Sequence, residues 1–169
     1  MKKYLFLLLV PFLLLGCSNS LNTPTGAVEN FLSSYQNLDS SLLDNLDKVI
    51  EKDEDMTDEQ REKYHDLMVN QYKNLSYKIK NENVVEDTAE VEVEIEVLNY
   101  ASSIRESKTY YKEHQDEIDN YLDYQLLNMS NVKNKAHYTI TFYLTKIDDE
   151  WVVEELDDVE IKKIHGLYE

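Results

Sequence analysis

The chain has 169 residues and carries 34 acidic against 17 basic side chains, a formal net charge of −17. A surface this acidic repels phosphate backbones and anionic head groups, which excludes nucleic acid as a partner and favours cationic partners if charge matters at all. One cysteine leaves no internal disulfide to form, and three glycines with two prolines provide few chain breakers, so long regular elements in a single ordinary-sized domain are expected.

Lys2 and Lys3 open the chain, an almost unbroken apolar run follows over residues 4–15, and Leu14-Leu15-Gly16-Cys17 closes it. That order belongs to a cleaved export signal, because the run is shorter than the roughly 20 apolar residues of a membrane-crossing helix. Residues 1–17 resemble the signal and lipobox of bacterial lipoproteins. The resemblance implies cleavage between Gly16 and Cys17, a diacylglyceryl thioether on Cys17 and further acylation by chains such as palmitate. Several acyl chains at about 0.8 kcal/mol per buried methylene give a stable anchor. Loss of Lys2 and Lys3 with the leader takes the formal charge from −17 to −19. Residues 1–16 are thus a signal peptide, 17–25 the lipidated cysteine and a short polar tether, and 26–169 one domain. Ser18 after the cysteine suits the outer membrane where there are two membranes. In a single-membrane bacterium, which the Asn-, Lys- and Tyr-rich composition favours, the outer face of the plasma membrane is the site.

Ala27, Val28, Phe31, Leu32 and Tyr35 recur at helical spacing, which predicts a first helix opening at a Thr25 cap and ending near Leu38. Asp39-Ser40-Ser41 caps a second, with Leu42, Leu43, Leu46, Val49 and Ile50 as its apolar stripe. Thr57-Asp58-Glu59-Gln60 has the form of a capping box opening a third, which runs through Leu67, Met68 and Tyr72 to Leu75. From there the period becomes alternating, through Tyr77 and Ile79 to a turn at Asn81-Glu82-Asn83. In the next strand Val91, Val93, Ile95 and Val97 alternate with Glu90, Glu92, Glu94 and Glu96, one face in a core and one in water. Residues 101–131 return to helix as one long stripe of Ile104, Tyr111, Ile118, Leu122 and Leu126. A terminal hairpin follows, with Ala136, Tyr138, Ile140, Phe142 and Leu144 on one face, a turn at Asp148-Asp149-Glu150, then Trp151 to Val153. Val159, Ile161 and Ile164 fit either a last strand or a helical tail.

The order of helices then hairpins is α+β, helices packed on a curved antiparallel sheet with a long helical insertion before the last hairpin. Residues 23–32 (Thr-Pro-Thr-Gly-Ala-Val-Glu-Asn-Phe-Leu), Asp39 at the first helix junction, and the closing strand, acidic turn and Trp151 resemble small bacterial lipoproteins of the nuclear-transport-factor-2-like superfamily. The resemblance covers residues 24–50 and 136–156. It implies a cone whose sheet wraps helices around a cavity; the helical segment 101–131 departs from the simplest pattern of that superfamily and would cover or fill the mouth. Tyr35, Tyr72, Tyr138 and Trp151 are the candidate pocket residues on this basis.

Little in the sequence marks catalysis. His65, His114, His137 and His165 stand apart and match no metal spacing, no nucleophile motif occurs, and no phosphate-cradling loop is present. The four glutamates of one strand lie roughly 7 Å apart along its face, too far for one ion without other ligands. Asp53-x-Asp55-x-Thr57 imitates the start of a calcium loop, but Asp58 and Tyr64 occupy the places of its glycine and closing glutamate. No metal or cofactor is expected. The favoured expectation is a non-catalytic module that binds a small ligand or an envelope protein, as a homodimer through the sheet. The alternatives are an isomerase- or hydrolase-type enzyme, with Asp123 and Tyr138 as proton-transfer groups in the pocket, and a structural envelope protein without a pocket.

Overall fold

The computed structural model describes residues 22–169; the leader, Cys17 and the first part of the tether lie outside the described residues. The elements are α1 (Pro24–Gln36), α2 (Ser40–Glu51), α3 (Asp58–Asn74), β1 (Ser76–Val85), β2 (Thr88–Leu98), α4 (Tyr100–Glu113), α5 (Tyr121–Ser130), β3 (Lys135–Ile147), β4 (Glu150–Val153) and α6 (Asp158–Ile164). The four strands pair antiparallel in the order β1-β2-β3-β4. Helices cover one face of this curved sheet, so the α+β class expected from the sequence is the observed one.

Alternation on β2 decides which face is covered. Val91, Val93, Ile95 and Val97 are fully buried, and across the ladder they meet Phe142, Ile140, Tyr138 and Ala136 of β3. Val28 and Leu32 of α1, Met68 and Tyr72 of α3, and Ile164 of α6 close over them. Each large side chain removed from water here contributes about 1.5–3 kcal/mol.

The capping box at Thr57 is present, the Thr57 hydroxyl accepting from the Gln60 N–H while the Gln60 carboxamide accepts from the Thr57 N–H. Asp157 and Glu160 form a second box that makes the tail α6 helical. Three expectations are corrected. Helix α1 opens at Pro24 with Thr23 as its cap, not at Thr25, because the ring of Pro24 presets φ and has no N–H to lose at the first helical position. The Thr25 N–H and hydroxyl instead donate to the Glu82 carboxylate at 2.9 and 2.7 Å, which places an anion at the N-terminus of α1.

The turn expected at Asn81-Glu82-Asn83 is absent. β1 runs on to Val85, and one extra residue, Lys80, is absorbed between Ile79 and Asn81 opposite Val93 and Glu92. The long template of β2 overrides the poor strand propensity of the asparagines. The chain turns at Glu86-Asp87 instead.

The helical segment 101–131 is not one rod. It breaks at His114, passes a single 3-10 turn (Gln115–Glu117) and restarts at α5, where the Asn120 side chain accepts from the Asp123 N–H at 3.1 Å. Folding back brings α5 against both α4 and α3.

The β3–β4 hairpin turns on Asp148 and Asp149, both at positive φ (50° and 66°), the two-residue turn that suits Asn-Gly. Replacing Asp148-Asp149 by Asn-Gly is expected to stabilise the domain by about 0.5–1 kcal/mol. Urea denaturation at pH 7 measures it, and an unchanged or lowered midpoint would contradict the turn geometry.

Candidate functional site

The four candidate pocket residues do not form one site. Tyr35 is 8% exposed and Tyr72 2%. Their rings meet edge to face at 5.1 Å, inside a chain of aromatic contacts that runs from Phe142 through Phe31 and Tyr35 to Tyr72 and His165. That chain occupies the space between sheet and helices where a cone would keep its cavity. Tyr138 is half-buried on the inner face, its hydroxyl donating to the Tyr168 carbonyl at 2.8 Å. Trp151 lines a separate groove of about 570 Å³ between the start of α1 and β4, with Asn22 and with Phe31, whose ring also touches Tyr35.

Burial sets the protonation of the inner pair. It pushes the Tyr72 hydroxyl far above its ordinary value and the His165 imidazole down to about 4, so both are neutral at pH 7. The Tyr72 oxygen and His165 Nε2 are 3.1 Å apart, one hydrogen bond between two uncharged groups. Burial also raises the Tyr35 hydroxyl.

The remaining candidates resolve into surface chemistry. Asp123 is half-exposed, 3.7 Å from Lys63 Nζ and accepting from Gln60 Nε2 at 3.2 Å, on the rim of a cleft of about 660 Å³ between α3 and α5. The Glu59 carboxylate, with Asp123 beside it, holds the Lys63 ammonium above the usual lysine value. Asp123 and Tyr138 belong to different parts of the molecule and are not brought together. Along β2, Glu94 accepts from Lys80 at 3.0 Å, which lowers its carboxyl, and Glu96 faces Lys135 and His137 at 3.6 and 3.4 Å. His65 lies beside Asp47 and Asp66, and His114 stacks on Tyr110. Among the described residues no group of three His, Cys, Asp or Glu side chains is placed to hold a metal ion.

Sequence reasoning missed a groove of about 490 Å³ between α4 and α5. Asn99 caps α4, accepting from the Ser102 N–H at 3.0 Å, and this sets the rotation that points Ser103, Glu106, Ser107 and Tyr110 at α5. From α5, Tyr124 and Asn128 answer them, and Asn128 Nδ2 donates to Ser107 Oγ at 2.9 Å across the floor. Tyr110 is stacked 3.9 Å from His114 and 5.6 Å from Tyr124, forming an aromatic wall. One long helix would have turned these two sets of side chains to different surroundings. The signal that was legible is Asn120 followed three residues later by Asp123, a cap in the middle of the presumed rod.

No protein-family model matches the chain, and no curated protein matches it. A solved structure that it resembles is that of ycdA of Bacillus subtilis, named as a candidate lipoprotein, at 17% identity and a TM-score of 0.43, covering 83% of this chain and 45% of that one. The chain therefore spans less than half of that protein's length, and a likeness this distant says nothing about ligand, partner or location. Among the described residues no helix is long and apolar enough to cross a membrane.

Proposed function

We propose that this protein is an extracytoplasmic lipoprotein, anchored at Cys17 to the outer face of the cell membrane, whose domain binds a ligand or envelope protein and does not transform it. The observation that carries this reading is the lipobox, Leu14-Leu15-Gly16-Cys17, placed directly after a basic start and an apolar run. The domain supports it. Asn22 is already docked, its side chain donating to the Asp149 carbonyl and accepting from the Trp151 N–H at 3.3 Å. The five residues from Cys17 to Asn22 can reach at most about 18 Å, which bounds the distance between that end of the domain and the anchored cysteine.

The helices-first order and the single covered sheet face support a nuclear-transport-factor-2-like architecture in which the cone is packed with aromatic side chains. A binding module is favoured over an enzyme because Asp123, Tyr138 and the Tyr72–His165 pair lie in separate places, where a pocket enzyme needs a carboxylate and its partner converging on one cavity.

Intact-mass measurement of the protein purified from bacterial membranes tests the anchor. The expected product lacks residues 1–16 and carries a diacylglyceryl group on Cys17, and Cys17→Ala keeps residues 1–16. Cleavage at another bond, with Cys17 present as a free thiol, would sink the proposal.

A further inference from the structure

We propose that the groove between α4 and α5 is a binding site for a neutral oligosaccharide, presented away from the membrane; this rests on the anchored-module reading above. Charge is the first argument. Charged residues make up 30% of the chain, yet only Glu106 and Lys133 of the groove's twelve lining residues are charged, and they have opposite signs. The acidic molecule as a whole repels anions, and a nearly neutral groove offers no cluster of carboxylates to hold a cation, so its lining fits an uncharged ligand.

The second argument is hydrogen-bonding type. Serine hydroxyls and asparagine amides each donate and accept, as sugar hydroxyls do. Ser103 and Ser107 are 7% and 1% exposed, so they form a floor fixed by the packing of α4 on α5, and the more exposed Ser102, Asn128, Asn131 and Asn134 are the groups that a ligand meets. Tyr110, 41% exposed although one ring face is stacked on His114, and the half-buried Tyr124 add apolar ring surface at the wall, suited to the C–H face of a pyranose ring. A peptide is less well served. The groove lies between two helices and offers no free strand edge for main-chain pairing. Its volume falls within the roughly 300–1,000 Å³ of small-ligand pockets.

The third argument is placement. Asn22 enters at the β3–β4 turn, and the register Thr88↔Thr145 puts that turn at the Thr88 end of β2. The groove is lined by Asn99 and Asn134, joined by a main-chain bond of 2.9 Å just past the Leu98 end. Eleven residues of β2 separate the two ends, about 35 Å of strand. A domain tethered at the first end shows the second to whatever lies outside the membrane.

The test is calorimetric titration of the full lipidated chain in detergent micelles with chitotetraose, maltotetraose, an acidic tetragalacturonate and a neutral Ser-Asn-Gly peptide. The expected result is saturable binding of a neutral tetrasaccharide, weakened about tenfold by Tyr110→Ala and by Asn128→Ala, with neither acidic sugar nor peptide bound as tightly. Tyr110→Ala removes an exposed ring and keeps the fold assessable by its melting temperature, should Asn128→Ala loosen α5. Absence of binding to both neutral sugars, binding that survives both substitutions, or preference for the peptide or the acidic sugar overturns the proposal. Intact mass of the same preparation reads the anchor separately. A lipidated chain without sugar binding overturns this inference alone, and sugar binding by an unlipidated chain overturns the anchored reading alone.

Discussion

Gly166→Ala is expected to destabilise the domain by at least about 4 kcal/mol and to lower its melting temperature by roughly 10 °C. Gly166 follows α6 at φ 68°, where an L side chain is strained, and a Cβ there would stand 2.0 Å from the Leu98 carbonyl oxygen and 2.1 Å from Gln71 Nε2. Neither neighbour has room to give. Gln71 is fully buried and holds the end of β2 with both halves of its carboxamide, Oε1 accepting from the Leu98 N–H at 2.8 Å and Nε2 donating to the Leu98 carbonyl at 2.9 Å. The Gly166 carbonyl in turn accepts from the Ala101 N–H at 2.8 Å. An alanine must therefore break bonds that no water replaces, at about 1–3 kcal/mol for each orphaned group, besides the cost of its own backbone. Urea denaturation of Gly166→Ala, Gln71→Ala and the double variant measures this. Because both substitutions remove the same bonds, the double variant should lose clearly less than the two together. A single Gly166→Ala within 1 kcal/mol of the parent protein would show that the clamp is not what closes α6 onto the sheet.

The second large effect is a loss of stability in mild acid. His165 titrates near 6.5 in the unfolded chain and near 4 in the fold, where burial disfavours the imidazolium. Between those values the unfolded chain binds a proton that the native protein refuses, so stability falls as pH drops from about 6.5 to about 4. The full shift corresponds to about 3 kcal/mol, present above pH 6.5 and lost by pH 4. His165→Gln keeps a polar partner for the Tyr72 hydroxyl and cannot titrate. Its stability between pH 7 and pH 4 should therefore run flatter than the parent's by about that amount, leaving the carboxylate contributions common to both curves. Parallel curves would mean that His165 is already solvated in the native state.

Much of the fold was legible because β2 is unambiguous. Four valine or isoleucine positions alternating with four glutamates leave one choice of buried face, and it is the face that the helices cover. The capping boxes were readable at Thr57 and are equally present at Asp157, where only three apolar residues made the tail ambiguous. What failed were one place where tertiary pairing outweighs local preference and one where an apolar stripe hides a local cap. Asn81 to Asn83 look like a turn until ten residues of β1 lie against β2, and Ile104 to Leu126 look like one stripe until Asn120 caps a new helix.

The site was less legible than the fold, for a related reason. Tyr35, Tyr72 and Tyr138 are expected on a pocket wall from the resemblance, but the hydroxyls of Tyr72 and Tyr138 find partners at His165 and Tyr168 in the C-terminal segment, whose place against them no local pattern marks. The groove between α4 and α5 is composed of serine, asparagine and tyrosine, residue types too common in this chain to stand out until folding sets them face to face.

The docking of Asn22 on the β3–β4 turn has a mechanical meaning. Tension arriving through the residues before it acts first on the edge of the sheet, where β4 pairs with β3 over only four residues, whereas β2 is held by eleven residue pairs to β3 and by nine to β1. Load at this point peels a short hairpin strand and the first turn of α1 before it can shear the central ladders. The far end of the domain, where Gln71 and Gly166 fasten α6 to β2, stays out of the line of force.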